Sequence, residues 1–174
     1  MASAVDVAGA VCRRLQLPPT DVPALHELVY LCQAWCLAWT GYALFDDELV
    51  GGPDGPVVPA VAAALRGPGL VEVAEPLAED DDDVVRSVVE HFASHSLREL
   101  VDVVLGDGVW SGASTGTAMS EETLRQVYTR HGLAGEGVPP RFGRPRSMRD
   151  DDAAALGREA SREWAEGLAM LRDA

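Results

Sequence analysis

The chain has 174 residues, of which 47% are hydrophobic and 24% charged, the balance of a folded globular domain rather than a disordered or membrane-spanning chain. Its formal net charge of −14 opposes general affinity for nucleic acid or an anionic membrane, since both repel a negative surface. All of its bases are arginine, so a Schiff-base lysine, a phosphate-loop lysine and a lysine general base are excluded.

Residues 5–16 read as a first helix, stopped by Pro18 and Pro19. Thr20 is placed to cap a second helix that runs to Thr40, with Gly41 after it. Leu25, Leu28, Val29, Cys32, Trp35, Cys36 and Trp39 form its main stripe, while Leu31, Ala34, Leu37 and Ala38 make the opposite side apolar too. A helix apolar nearly all round is expected at the centre of the domain.

The stretch 41–59 differs in kind, being rich in glycine and proline and carrying Asp46, Asp47, Glu48 and Asp54. A short strand is expected at Glu48–Val50 and a turn at Gly51–Asp54. Gly55 and Pro56 then open a short helix over Val57–Leu65, and Leu70–Ala74 is read as a second strand that pairs with the first. Asp80–Asp83 precede a helix whose positive end suits them, with Val84, Val85, Val88, Val89 and Phe92 on one face. Ser96 and Glu99 form a capping box for the next helix, with Leu97, Leu100, Val101, Val104 and Leu105 as its stripe. Trp110 stands alone in a glycine-rich loop. Ser120 caps a helix to about His131 that turns Leu124, Val127 and Tyr128 inward.

Residues 132–146 form a Gly/Pro/Arg-rich loop, and a final helix starts from Ser147 with Leu156, Ala160, Trp164 and Leu168 as its stripe. The expected fold is mainly α: a compact bundle of six or seven helices around a central buried helix, with a small β-hairpin. It is read as a single domain over 1–174.

The chemistry-bearing residues are sparse. Cys32 and Cys36 lie one turn apart but on the apolar stripe, where cysteine packs as a small hydrophobe. No further ligand accompanies them, or the pair His91 and His95, to make a zinc set. His26 and Glu27 begin the central helix without a nucleophile nearby. Neither Ser111 nor Ser114 lies in a nucleophile elbow, and Gly51–Gly55 lacks a dinucleotide or phosphate-loop spacing. The residues therefore call for no catalytic group, no cofactor and no metal, and they leave enzymatic activity open. Arg141, Arg144, Arg146 and Arg149 could clamp an acidic partner or a phosphate, or could neutralise the chain's own acids. Three cysteines and no basic, apolar leader point to free thiols in a reducing cytoplasm.

One stretch carries a resemblance. Ala24–Ala63 reads ALHELVYLCQAWCLAWTGYALFDDELVGGPDGPVVPAVAA, and it resembles the Panacea antitoxin domain, the SocA-like antitoxin family. The matching residues are Leu28, Tyr30, Gln33, Trp35, Thr40, Gly41, Leu44, Phe45, Asp46 and the run Gly55–Pro59. Ser96–Trp110 resembles the family's closing helix and tryptophan. The resemblance covers about residues 20–113 and leaves 114–174 as a helical extension. Within it, Gln33, Trp35, Trp39, Phe45, Gly55, Pro56 and Trp110 are expected to build the fold. Gln33 is expected either to partner a tryptophan N–H or to tie down the following loop.

The chain departs from the family pattern at Cys36 and Leu105, where members often have histidine. It departs again at Val50, Gly52 and Pro53, where an acid, a tryptophan and a base are common. What the resemblance implies is an antitoxin that neutralises a cognate toxin by direct contact, or delivers it to a protease as an adaptor. The implied partner surface combines Asp46, Asp47, Glu48 and Asp54 with Arg141, Arg144 and Arg146. The alternative is a domain repurposed as scaffold, regulator or accessory enzyme in another pathway. No membrane partner is expected, and nucleic acid ranks last.

Overall fold

The computed structural model describes residues 2–16, 22–53, 55–67, 70–109, 115–135 and 137–142. The chain divides into Met1–Arg144 and Pro145–Ala174, and every described residue belongs to the first unit. The final helix expected from Ser147 therefore lies outside the described residues, as do Trp110, Asp54, Arg144 and Arg146.

Seven helices and one two-stranded antiparallel sheet are present among the described residues. In chain order they are α1 (Ala4–Leu15), α2 (Val22–Thr40), β1 (Val50–Gly51), β2 (Pro56–Val57), α3 (Pro59–Ala64), α4 (Leu70–Val73), α5 (Glu79–Phe92), α6 (Leu97–Gly106) and α7 (Glu121–Ala134). The mainly helical fold with a small hairpin follows the sequence expectation.

The reason lies in α2. Leu25, Leu28, Val29, Leu31, Cys32, Ala34, Trp35, Cys36 and Leu37 are all buried, so the helix needs neighbours on every side. It packs against α1, α5, α6, α7 and β2. Each fully buried leucine here contributes roughly 1.5–3 kcal/mol by leaving water. At the far end Thr40 Oγ1 donates to the Cys36 carbonyl at 2.8 Å, and the Gly41 N–H donates to Leu37 O at 2.9 Å, which closes the helix where the sequence places its stop.

The flanking helices begin as their residues dictate. Ser3 and Asp6 form a capping box at α1, and Ser96 and Glu99 form the expected one at α6. The Ser120 side chain accepts the Thr123 N–H at α7. Glu79–Asp82 fill the first turn of α5, where the helix dipole favours acids, and Arg14 from the end of α1 pairs with Asp82. Gly9 of α1 has no room for a side chain, since a Cβ there would fall 2.2 Å from the Ala74 Cβ.

Several expectations are corrected. Leu70–Ala74 is not a strand: Leu70–Val73 is a turn of helix, with Leu70 buried in the core. The partner of β1 is Pro56–Val57, paired as Val50 with Val57 and Gly51 with Pro56. The following helix consequently starts at Pro59 rather than Val57, because a proline in the first turn gives up an N–H that needs no partner there. The other edge of β1 is taken by 115–119, through Gly51 N to Thr117 O at 3.0 Å, Gly116 N to Gly51 O at 2.8 Å and Met119 N to Leu49 O at 2.8 Å. On α6, Leu100 and Val104 are buried but Leu97 and Leu105 are exposed. Leu105 sits roughly a third of a turn round from the buried pair, and Leu97 lies in the exposed first turn.

Candidate partner-binding surface

The loop after α2 is organised by one buried amide. Gln33 is almost fully enclosed, and its Oε1 accepts the N–H groups of Leu44 at 2.8 Å and Phe45 at 3.2 Å. Its Nε2 donates to the Phe45 carbonyl at 3.0 Å. Of the two uses open to Gln33 in the sequence, the structure shows the second, the tie to the loop. Trp35 is 2% exposed, and its ring N–H has no partner among the described residues. Its ring instead packs on Trp39 and on Tyr128, with centroids 5.5 and 5.3 Å away.

Leu44 and Phe45 are thereby pinned inward, and the acids that follow are carried at the surface. Asp46 and Glu48 are exposed. Asp47 is half-buried, and its Oδ2 accepts the Ala4 N–H at 2.7 Å, capping the start of α1. This acid is thus a structural anchor for the loop whose neighbours face solvent. Gly55 and Pro56 are both buried under the hairpin. Arg141 is exposed and makes no ion pair among the described residues. Its neighbour Phe142 donates its N–H to Ser87 Oγ at 3.1 Å and receives Arg86 over its ring at 5.0 Å. No described contact joins the acidic loop to Arg141: the first is fixed on α1, the second beside α5.

Elsewhere in the core is a polar cluster that the residue pattern did not flag. Asp107, just past α6, is buried and accepts Tyr30 OH at 2.5 Å and Tyr128 OH at 2.8 Å on one oxygen. Its other oxygen accepts the Val109 N–H at 2.7 Å. Burial first, and the neighbouring Asp107 charge next, push the Tyr30 hydroxyl far above its ordinary range, so it stays a donor. Burial does the same to Tyr128. Between two glycines Asp107 reads as turn chemistry. The usable signal was Tyr30 itself, because a tyrosine hydroxyl on a fully buried helix needs an acceptor from elsewhere.

Cys12, Cys32 and Cys36 are buried and in no disulfide, and burial, followed by Cys36, raises the Cys32 thiol well above its ordinary value. His91 and His95 are half-buried with ring centroids 6.1 Å apart. Among the described residues no group of three or more His, Cys, Asp or Glu is arranged to hold a metal, and no helix is long and apolar enough to cross a membrane.

The pinned loop, the buried Gly55–Pro56 hairpin and the helix that closes on Asp107 are the features on which the sequence resemblance rested. The profile of the SocA-like antitoxin family, Panacea domain, matches residues 25–111, half of the chain. The chain belongs to this family. Its Panacea core accordingly spans α2 to the residues just past α6, and α1 and α7 pack on α2 from outside it. No curated protein and no solved structure matches the chain.

Proposed function

We propose that this Panacea-domain protein is an antitoxin that neutralises a cognate toxin by direct protein contact, acting in the cytoplasm. Family membership supports a toxin–antitoxin-type role. The observation that carries the finer reading is the loop after α2. Asp46 and Glu48 stand exposed on a backbone held at both sides, by Gln33 at Leu44 and Phe45 and by Asp47 at Ala4. A rigid acidic edge loses little freedom when a partner settles on it. On a chain of net charge −14 it attracts a basic surface over distance, which speeds encounter and makes the rate fall with salt. A toxin that acts on RNA or nucleotides would present such a surface, because its substrate is anionic. Arg141 is assigned to a separate contact, because it sits beside α5 rather than on the acidic loop.

The test is co-expression and co-purification with the protein encoded next to it. Rescue of a growth defect and a stoichiometric complex support the reading, and the absence of both removes it. Replacing Asp46 and Glu48 by Asn and Gln should slow association several-fold at low salt and leave the fold intact. Loss of the toxin only when a housekeeping protease is present would assign the adaptor form of the mechanism.

A further inference from the structure

Residues His26 and Glu27 open α2 and both are buried, at 6% and 3% exposure. They hold the hairpin from two sides. His26 Nδ1 accepts the Val58 N–H at 3.2 Å, just past β2. A ring nitrogen that accepts carries no proton, so this strap exists only while the imidazole is neutral. Glu27 lies directly under the turn. A Cβ on Gly55 would come within 2.2 Å of Glu27 Oε1, so with a side chain there Glu27 would have to move, and the positive φ of Gly55 adds strain for any other residue. The turn itself is closed by Gly52 N–H donating to Gly55 O at 2.8 Å.

Glu27 differs from the buried Gln33 and Asp107 in what it lacks. Its Oε2 is enclosed with no hydrogen-bond partner among the described residues, and no arginine pairs with it there. The titratable groups around it are His26 and Tyr30 on its own helix, Asp107 past α6 and, across Asp107, Tyr128 of α7. Asp107 is the one whose charge acts on it, and that charge is negative; the described residues of α1, α5 and β2 exert none. A carboxylate enclosed beside another carboxylate, with an oxygen unpaired, is costly, and a neutral carboxyl at the same place costs far less.

We infer that His26 and Glu27 form a two-sided proton latch on the β1–β2 hairpin, which is closed while both side chains are neutral and lifts when either becomes charged. Charging His26 replaces the acceptor of the Val58 N–H by a donor and breaks the strap. Charging Glu27 drives the turn that carries Gly55 off the side chain, so that water reaches the carboxylate. The two limits fall on opposite sides of neutrality. Burial lowers the His26 pKa below its ordinary value. Burial, then the Asp107 charge, raises that of Glu27 to about 8. The latch belongs to the free chain and needs no partner.

Amide hydrogen exchange on the full chain tests it, with rates corrected for intrinsic base catalysis. The reporters are the N–H groups of Gly52 and Val58. Their protection should be highest below the ordinary histidine value of 6.5, where the Glu27 and His26 contributions oppose each other, and above it should fall by about tenfold per pH unit toward pH 8, because lifting the turn releases Glu27 to ionise freely. It should fall again in acid. Glu27→Gln should abolish the alkaline fall and keep the acid one, a split that a merely structural residue would not give. A carbon-13 titration of the Glu27 carboxyl in the wild type gives an independent reading and should show a midpoint above neutrality. Equal alkaline falls in wild type and Glu27→Gln, a carboxyl midpoint in the ordinary glutamate range, or exchange of Gly52 and Val58 only together with the α2 amides would each overturn the latch.

Discussion

Gln33 and Glu27 lie on the same buried helix, and each holds a chain segment that follows it, yet the two attachments are built differently. At Gln33 both ends of the amide are used, and the loop at Leu44–Phe45 is fixed by three hydrogen bonds. At Glu27 one oxygen is enclosed and unused, and the hairpin leans on a group whose charge depends on pH. A neutral amide fastens the loop at any pH. A carboxyl fastens the hairpin conditionally. Position on the helix is the same kind of information in both cases; the ionisable atom makes the difference.

The sharpest way to break this contrast is to remove the amide. Gln33→Leu keeps the volume but strands two buried N–H groups and a carbonyl. We expect a loss of at least about 3 kcal/mol in urea unfolding, at roughly 1–3 kcal/mol for each of the three orphaned groups. A loss near zero would mean that the loop is held by Phe45 packing alone.

The carboxyl gives the pH-dependent counterpart. The folded-state pKa of Glu27 is raised from 4.5 to about 8, so the native chain holds this proton more tightly than the unfolded chain. The stability it contributes is full below the unfolded value, drains away as pH rises toward the folded one, and is flat beyond. Glu27→Gln has no proton to lose. Its stability relative to wild type should grow by roughly 1.4 kcal/mol per pH unit across that window, as thermal or urea unfolding at several pH values will show.

How far these attachments could be read beforehand depends on where their cause lies. The central helix was legible because Leu31, Ala34 and Leu37 oppose the Leu25–Trp39 stripe, so burial on all sides is written into one segment. The Ser96–Glu99 box was legible for the same local reason. The hairpin partner was misplaced because a strand of two residues carries no periodicity. Pro56–Val57 pairs with β1 because His26 and the buried Gly55 seat it on α2, and these contacts are remote in sequence. The exposed acids Asp46 and Glu48 were identifiable as loop residues. The anchoring role of Asp47 was not, since its acceptor function depends on α1 arriving at that spot. Asp107 was hidden by the same kind of distance.

A smaller effect sharpens the comparison from the side of the satisfied groups. Tyr128→Phe removes one of the two hydroxyl donors on Asp107 Oδ2. It should cost about 1.5–3 kcal/mol, the range for a hydrogen bond to a charged group. A double-mutant cycle with Tyr30→Phe should show coupling, because both act on one oxygen. Smallest of all, Ser96→Ala at the exposed capping box should cost about 1 kcal/mol and leave hairpin exchange unchanged. A hairpin that responded to Ser96→Ala would show that it follows global stability rather than its own latch.

The two tyrosines that share Asp107 reach it from either side of a boundary that family matching draws through the molecule. Tyr30 lies inside the matched span and Tyr128 beyond it. Anyone who trims the gene to the recognised domain would therefore cut away one hydroxyl of the pair and the helix that shields the Trp35 ring. The shortened product would present an aromatic, acid-lined furrow to water. Its tendency to clump would say nothing about the biology of the intact protein.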